Sequence, residues 1–225
     1  AYTLGDMERQ RQETIARLQE DGVYDMNREL ELPVVIQRVA VVSSRNAAGY
    51  QDFCKELANG LYRFEVELFD AFMQGAGAED SIIAALGTVA DRSDDFDAVV
   101  VIRGGGSQSD LGCFDSYRLC CHLAQFPLPV IAGIGHDKDQ SVADLVAAVS
   151  VKTPTAVAVY LKNRCAAFDD WLQERFEELS SQAVTLLDDE RQRLQQAAVA
   201  LKLELSERMH QQQLCLERLQ GCLLY

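Results

Sequence analysis

The chain has 225 residues, 48% of them hydrophobic and 25% charged, with a formal net charge of −14. This is enough apolar chain for a real core, and it excludes a disulfide miniprotein, a collagen-like chain and a disordered tail. Apolar runs such as Leu128–Ile134 (LPVIAGI) are strand length, short of the ~18–20 residues of a membrane span, so no membrane association is expected.

Thr3 to about Glu20 has helical spacing, with Met7, Ile15 and Leu18 as a thin apolar stripe, and Gly22 ends it. Residues 21–37 have the texture of a linker. Arg38–Ser44 (RVAVVSS) is a β-branched run, expected as a buried strand. Helical spacing follows over Asn46–Asn59, alternation over Tyr62–Asp70, helical spacing again over Ala78–Asp91, and a third strand over Phe96–Ile102. Asp110–Gln125 is expected as a helix and Leu128–Gly133 as the fourth strand. Strands alternating with ~14-residue helices imply βαβ units. The expected fold is therefore α/β, a doubly wound, mostly parallel four-stranded sheet.

The last third differs. Thr153–Pro154 supplies an N-cap and a proline at the first helical position, and no glycine follows until Gly221. Apolar residues recur by threes and fours at Leu161, Cys165, Phe168, Leu172 and Leu179, then in a second register from Leu194 to Leu205. A long coiled-coil arm is preferred over a two-helix hairpin, because no turn residue interrupts the run. The expected division is residues 1–37 as helix and linker, 38–152 as the α/β catalytic domain, and 153–225 as the helical arm.

Seven cysteines, Cys54, Cys113, Cys120, Cys121, Cys165, Cys215 and Cys222, lie at irregular spacings with no zinc pattern. They fit reduced thiols in a cytoplasmic protein. The negative charge is spread over all three stretches and leaves no basic stripe of the kind a self-sufficient nucleic-acid binder carries.

Three loops carry the chemistry. Arg103-Gly104-Gly105-Gly106-Ser107 follows the third strand, where glycine N–H groups can form an anion nest beside the Arg103 fork. It is neither a dinucleotide fingerprint nor a P-loop, and a tight strand-to-helix turn explains it better when it is taken alone. Gly135 and His136 precede Asp137, Lys138 and Asp139 after the fourth strand. His136 can serve as a general acid or base, with Asp139 orienting its imidazole. Ser43 and Ser44 follow the first strand, where hydroxyls and a helix start can hold phosphate, and Asp52 lies two turns on. With strand order 2-1-3-4, all three loops leave carboxyl ends and meet at the crevice where such sheets bind ligands.

These same segments carry a resemblance. RVAVVSS, AAGYQDF, MQG, FDAVVVIRGGGSQSDL, FPLPVIAGIGHDKDQSVADLVA and KTPTAVA, in that order, resemble the large-subunit family of bacterial exodeoxyribonuclease VII. The resemblance implies an exonuclease that hydrolyses single-stranded DNA to short oligonucleotides. It implies catalytic groups at Asp52, Arg103, His136 and Asp139. It further implies several small subunits bound along the coiled-coil arm, and an OB-fold amino-terminal to this stretch, so that the chain is expected to be a catalytic core without it. That module would supply the cationic groove the acidic core lacks. Self-association through the arm is also allowed. No organic cofactor is implied. Mg²⁺ on Asp52, Asp139 and Asp144 is one option, and metal dependence is left open. Two alternatives use the same residues: a non-hydrolytic phosphate- or nucleotide-binding module, indifferent to loss of His136, and a coiled-coil scaffold, indifferent to loss of Arg103.

Overall fold

The computed structural model describes residues 4–104, 108–134 and 140–223. Runs of valine, alanine and isoleucine make the central strands buried on both faces, as parallel strands covered by helices must be. β1 (Arg38–Ser43) and β3 (Ala98–Ile102) are buried almost throughout. β2 (Glu65–Asp70) alternates and lies at an edge. β4 (Val130–Gly133) is followed by a two-residue β5 (Val149–Ser150). The order is β2-β1-β3-β4-β5, all parallel. β1 and β3 are thus adjacent as expected, but the sheet has five strands, not four. β5 is too short to leave a periodic signal.

Successive side chains of each strand point to opposite faces. Ala40, Val42, Val99, Val101 and Ala132 pack beneath α1 (Leu4–Glu20), α3 (Ala78–Ala90), α4 (Tyr117–Ala124) and α5 (Val142–Val146). Val39, Val41, Val100, Ile102 and Ile131 pack against Phe53 and Leu57 of α2 (Ala48–Ala58) and Val157 and Leu161 of α6 (Pro154–Leu223). Helices on both faces make the sheet doubly wound.

The helix expected over Asp110–Gln125 is divided. Gln108–Asp115 is 3₁₀, and Ser116 is extended and caps α4 by accepting the Leu119 N–H at 3.2 Å. A serine favours such a cap over continued helix, because its oxygen satisfies an otherwise orphaned donor. The linker-like stretch 21–37 contributes a fully buried side chain, Asn27. Its Nδ2 donates to the Phe126 and Leu128 carbonyls at 3.1 and 2.9 Å. Its Oδ1 accepts from Val130 and Ala148 at 2.9 and 3.1 Å. One amide thereby uses its full hydrogen-bonding capacity to join the amino ends of β4 and β5.

The chain forms two compact units, residues 1–169 and 170–225. α6 begins in the first, where Thr153 Oγ1 accepts the Ala156 N–H at 3.1 Å. It runs without interruption to Leu223, so no hairpin turn occurs within it. In the second unit the described side chains are exposed throughout. No described helix is long and apolar enough to cross a membrane.

Candidate active site

The carboxyl ends of β1, β3 and β4 lie side by side and are tied to one another. Ser43 Oγ donates to the Ile102 carbonyl at 2.9 Å, and the Ser43 carbonyl accepts the Ala71 N–H at 3.0 Å. Ser43 is fully buried, so its proton is committed across the sheet. Ser44 follows half-buried, and its carbonyl accepts the Ala47 N–H at 2.9 Å, closing the turn into α2.

Glycines allow backbones to meet at this edge. A Cβ on Gly49, in the first turn of α2, would lie 2.9 Å from Gly104 Cα and 2.9 Å from Pro154 Cγ. A Cβ on Gly104 would stand 3.4 Å from Gly49 N. One on Gly133 would come 2.7 Å from Val157 Cγ2. The amino end of α2 therefore abuts the backbone at Arg103 and Gly104, and the start of α6 lies against Gly49 and Gly133. Helix amino ends carry partial positive charge and unpaired N–H groups, which favour phosphate. The α6 end is the element missed from sequence. Thr153–Pro154 marked it as a helix start, but only the sheet topology returns that start to the carboxyl edge.

Arg103 is 7% exposed and sits directly after β3. Burial pushes the neighbouring Cys113 thiol up to about 11, and the Arg103 charge acts in the opposite direction. Asp52 is exposed on α2, with Lys55 Nζ 3.9 Å from its carboxylate. Gly105, Gly106, Ser107, Gly135, His136 and Asp139 lie outside the described residues.

The segments that follow the two loops are joined by a residue not singled out from sequence. Asp115 Oδ1 accepts the Val142 N–H at 2.7 Å, linking the end of the 3₁₀ segment to the start of α5. Thr14 of α1 donates to the Asp115 carbonyl at 3.0 Å. Asp144 is 3% exposed. Its Oδ2 accepts from Ser141 N and Oγ at 3.0 and 2.7 Å, and its Oδ1 accepts from Ser150 at 3.3 Å. Burial raises its pKa, while the Ser141 and Ser150 hydrogen bonds work against that. This carboxylate is consumed by a capping box and does not fit a divalent cation. Among the described residues no group of three or more His, Cys, Asp or Glu side chains is arranged to hold a metal.

The family model for "Exonuclease VII, large subunit" matches residues 23–224. An exodeoxyribonuclease 7 large subunit of Cyanothece sp. (strain PCC 7425) is 42% identical over 142 residues, 63% of this chain and 33% of that protein. That of Deinococcus radiodurans is 38% identical over 166 residues, 71% of this chain and 39% of its own. That of Synechococcus sp. (strain CC9605) is 37% identical over 201 residues, 88% and 51%. The chain spans between a third and a half of these relatives' lengths. With the match reaching from the linker-like stretch before β1 through the sheet and all of α6, the chain belongs to the exonuclease VII large-subunit family.

Proposed function

We propose that this chain carries the catalytic site of an exodeoxyribonuclease that hydrolyses phosphodiester bonds of single-stranded DNA. The observation that carries the reading is the meeting of the α2 amino end with the Arg103–Gly104 backbone, and of the α6 start with Gly49 and Gly133, at the carboxyl edge of β1, β3 and β4, in a chain of this family. That edge favours an anion. The proposed phosphate contacts are backbone N–H groups of Gly104, Gly105, Gly106, Ser107 and Gly135, with a hydroxyl from Ser44. Arg103 acts on the phosphate by charge through a poorly screened interior, stabilising what develops in the transition state.

Water adds to phosphorus as the bond to one ribose oxygen breaks. His136 delivers the proton that oxygen needs, with Asp139 holding the imidazole. Asp52 takes the proton from the attacking water. Asp52 and Asp139 are also the carboxylates open to Mg²⁺, should the reaction use one.

Small subunits are placed along residues 170–223. Leucines at 172, 179, 186, 194, 201 and 205 are exposed there, and pairing this seam into a coiled coil would cover them. A cytoplasmic location accords with the free thiols of the described cysteines.

The test is hydrolysis of end-labelled single-stranded and duplex DNA by the full chain with its small subunits, with and without chelator. Short oligonucleotides released from the single strand alone support the reading. Activity that survives chelation assigns proton transfer to His136 and the carboxylates without metal. No release from the single strand under either condition contradicts it.

A further inference from the structure

The carboxyl edge carries an aromatic side chain that the hydrolytic site does not use. Phe72 follows β2, and its ring is 72% exposed, between Ala71 and Met73 at 4% and 5%. Among the described residues of the first unit it is the one exposed aromatic; the rest are buried or half-buried. Its presentation is rigid. The Ala71 N–H donates to the Ser43 carbonyl at 3.0 Å, which extends the β1–β2 ladder one residue beyond the strand. The Phe72 N–H donates to Ser81 Oγ at 3.0 Å, fixing the next peptide to α3. With both neighbours buried, strand alternation forces the ring outward.

A cation is tied to the end of the same strand. β1 ends where Ser43 pairs with Asp70, and Arg45, in the turn that follows, bonds to Asp70, two residues before Phe72. The Arg45 N–H donates to Asp70 Oδ1 at 2.8 Å, and its guanidinium reaches Asp70 Oδ2 at 3.9 Å while staying largely exposed. The candidate crevice lies on the other flank of β1, between β1 and β3. β2, which Phe72 follows, is one strand spacing, ~5 Å, from β1, and β1 forms one wall of that crevice.

We propose that Phe72 is a stacking platform for an unpaired base next to the scissile phosphate, with Arg45 contacting the backbone alongside it. This rests on the single-strand reading above and adds where the strand lies and why it must be unpaired. A duplex presents no free base face at its flank, whereas each base of a single strand offers one. The site thereby selects single strands without reading sequence.

The test is fluorescence anisotropy of a labelled single-stranded oligonucleotide over a salt series, with the full chain and its variants. Phe72→Ala is expected to weaken binding about 5- to 150-fold, the usual range for one base–aromatic stack, with the log–log salt slope unchanged. Phe72→Trp is expected to retain affinity. Arg45→Gln is expected to flatten the slope by about 0.7, because one phosphate is no longer neutralised. On an oligonucleotide of abasic sites, wild type and Phe72→Ala should bind alike. Wild-type binding matched by Phe72→Ala on the normal oligonucleotide would overturn the platform and leave the nuclease reading intact. So would an equal loss on the abasic one. Failure of the wild-type chain to bind single strands even at low salt would instead strike the nuclease reading itself.

Discussion

Asn27 shows at the residue scale how much one buried amide can hold. It serves four backbone groups at the amino ends of β4 and β5. Asn27→Ala would leave buried donors and acceptors without partners, each costing about 1–3 kcal/mol, so a loss of at least about 3 kcal/mol in denaturant unfolding is expected. Asp144 gives a pH prediction. Its folded pKa is raised, so its contribution is fully present below the ordinary carboxylate pKa of ~3.9 and is lost as pH rises through the folded value. Asp144→Asn can keep an acceptor toward Ser141. Its thermal midpoint should therefore gain on wild type as pH rises from ~4, then level off; a constant difference would contradict this. Asp97 has the opposite sign. Burial pushes it up, but the Arg38 and Gln37 N–H groups and the Arg38 guanidinium more than offset that. Its stabilisation is present above ~3.9 and fades as pH falls.

The elements most legible in the sequence were those with a strong period. β1 and β3 are continuous apolar runs, and the Thr153–Pro154 signal started α6 where the structure starts it. Alternation over Tyr62–Asp70 found β2 but overran its start at Glu65. The break at Ser116 and the role of Asp115 were not legible, because helical spacing bridges the short 3₁₀ segment and a carboxylate's partner depends on tertiary contact. Likewise, the glycines after β3 suggested close approach to phosphate, whereas Gly104 is first of all close to Gly49. Glycine at 49 is informative because alanine would ordinarily favour an exposed helix by ~1 kcal/mol. Here its Cβ would meet backbone, so Gly49→Ala is expected to destabilise by about 1–3 kcal/mol. By displacing the Arg103–Gly104 backbone it should also cut DNA hydrolysis by up to ~10²-fold. Thermal melts beside rate measurements check both, and a more stable, fully active variant would refute the close approach.

For the whole molecule, charge and site pull in opposite directions. A net charge of −14 repels a polyanion, while the proposed site, with Arg103 and the α2 amino end, would attract one phosphate locally. Binding by this chain should therefore be weak at near-physiological salt. Repulsion there is screened beyond ~8 Å, so what affinity remains comes from the groups at the site itself. The loop that carries both His136 and Asp139 follows β4, and the proposed chemistry stands on the two acting together. The most direct measurement is the rate of oligonucleotide release from labelled single-stranded DNA by the full chain with its small subunits. It compares wild type with His136→Ala and Arg103→Gln, each checked for an unchanged thermal midpoint. The expected result is a loss of about 10²–10⁴-fold for His136→Ala with folding intact, the usual contribution of one acid–base group, and a comparable loss for Arg103→Gln. Near-normal turnover by folded His136→Ala would contradict it.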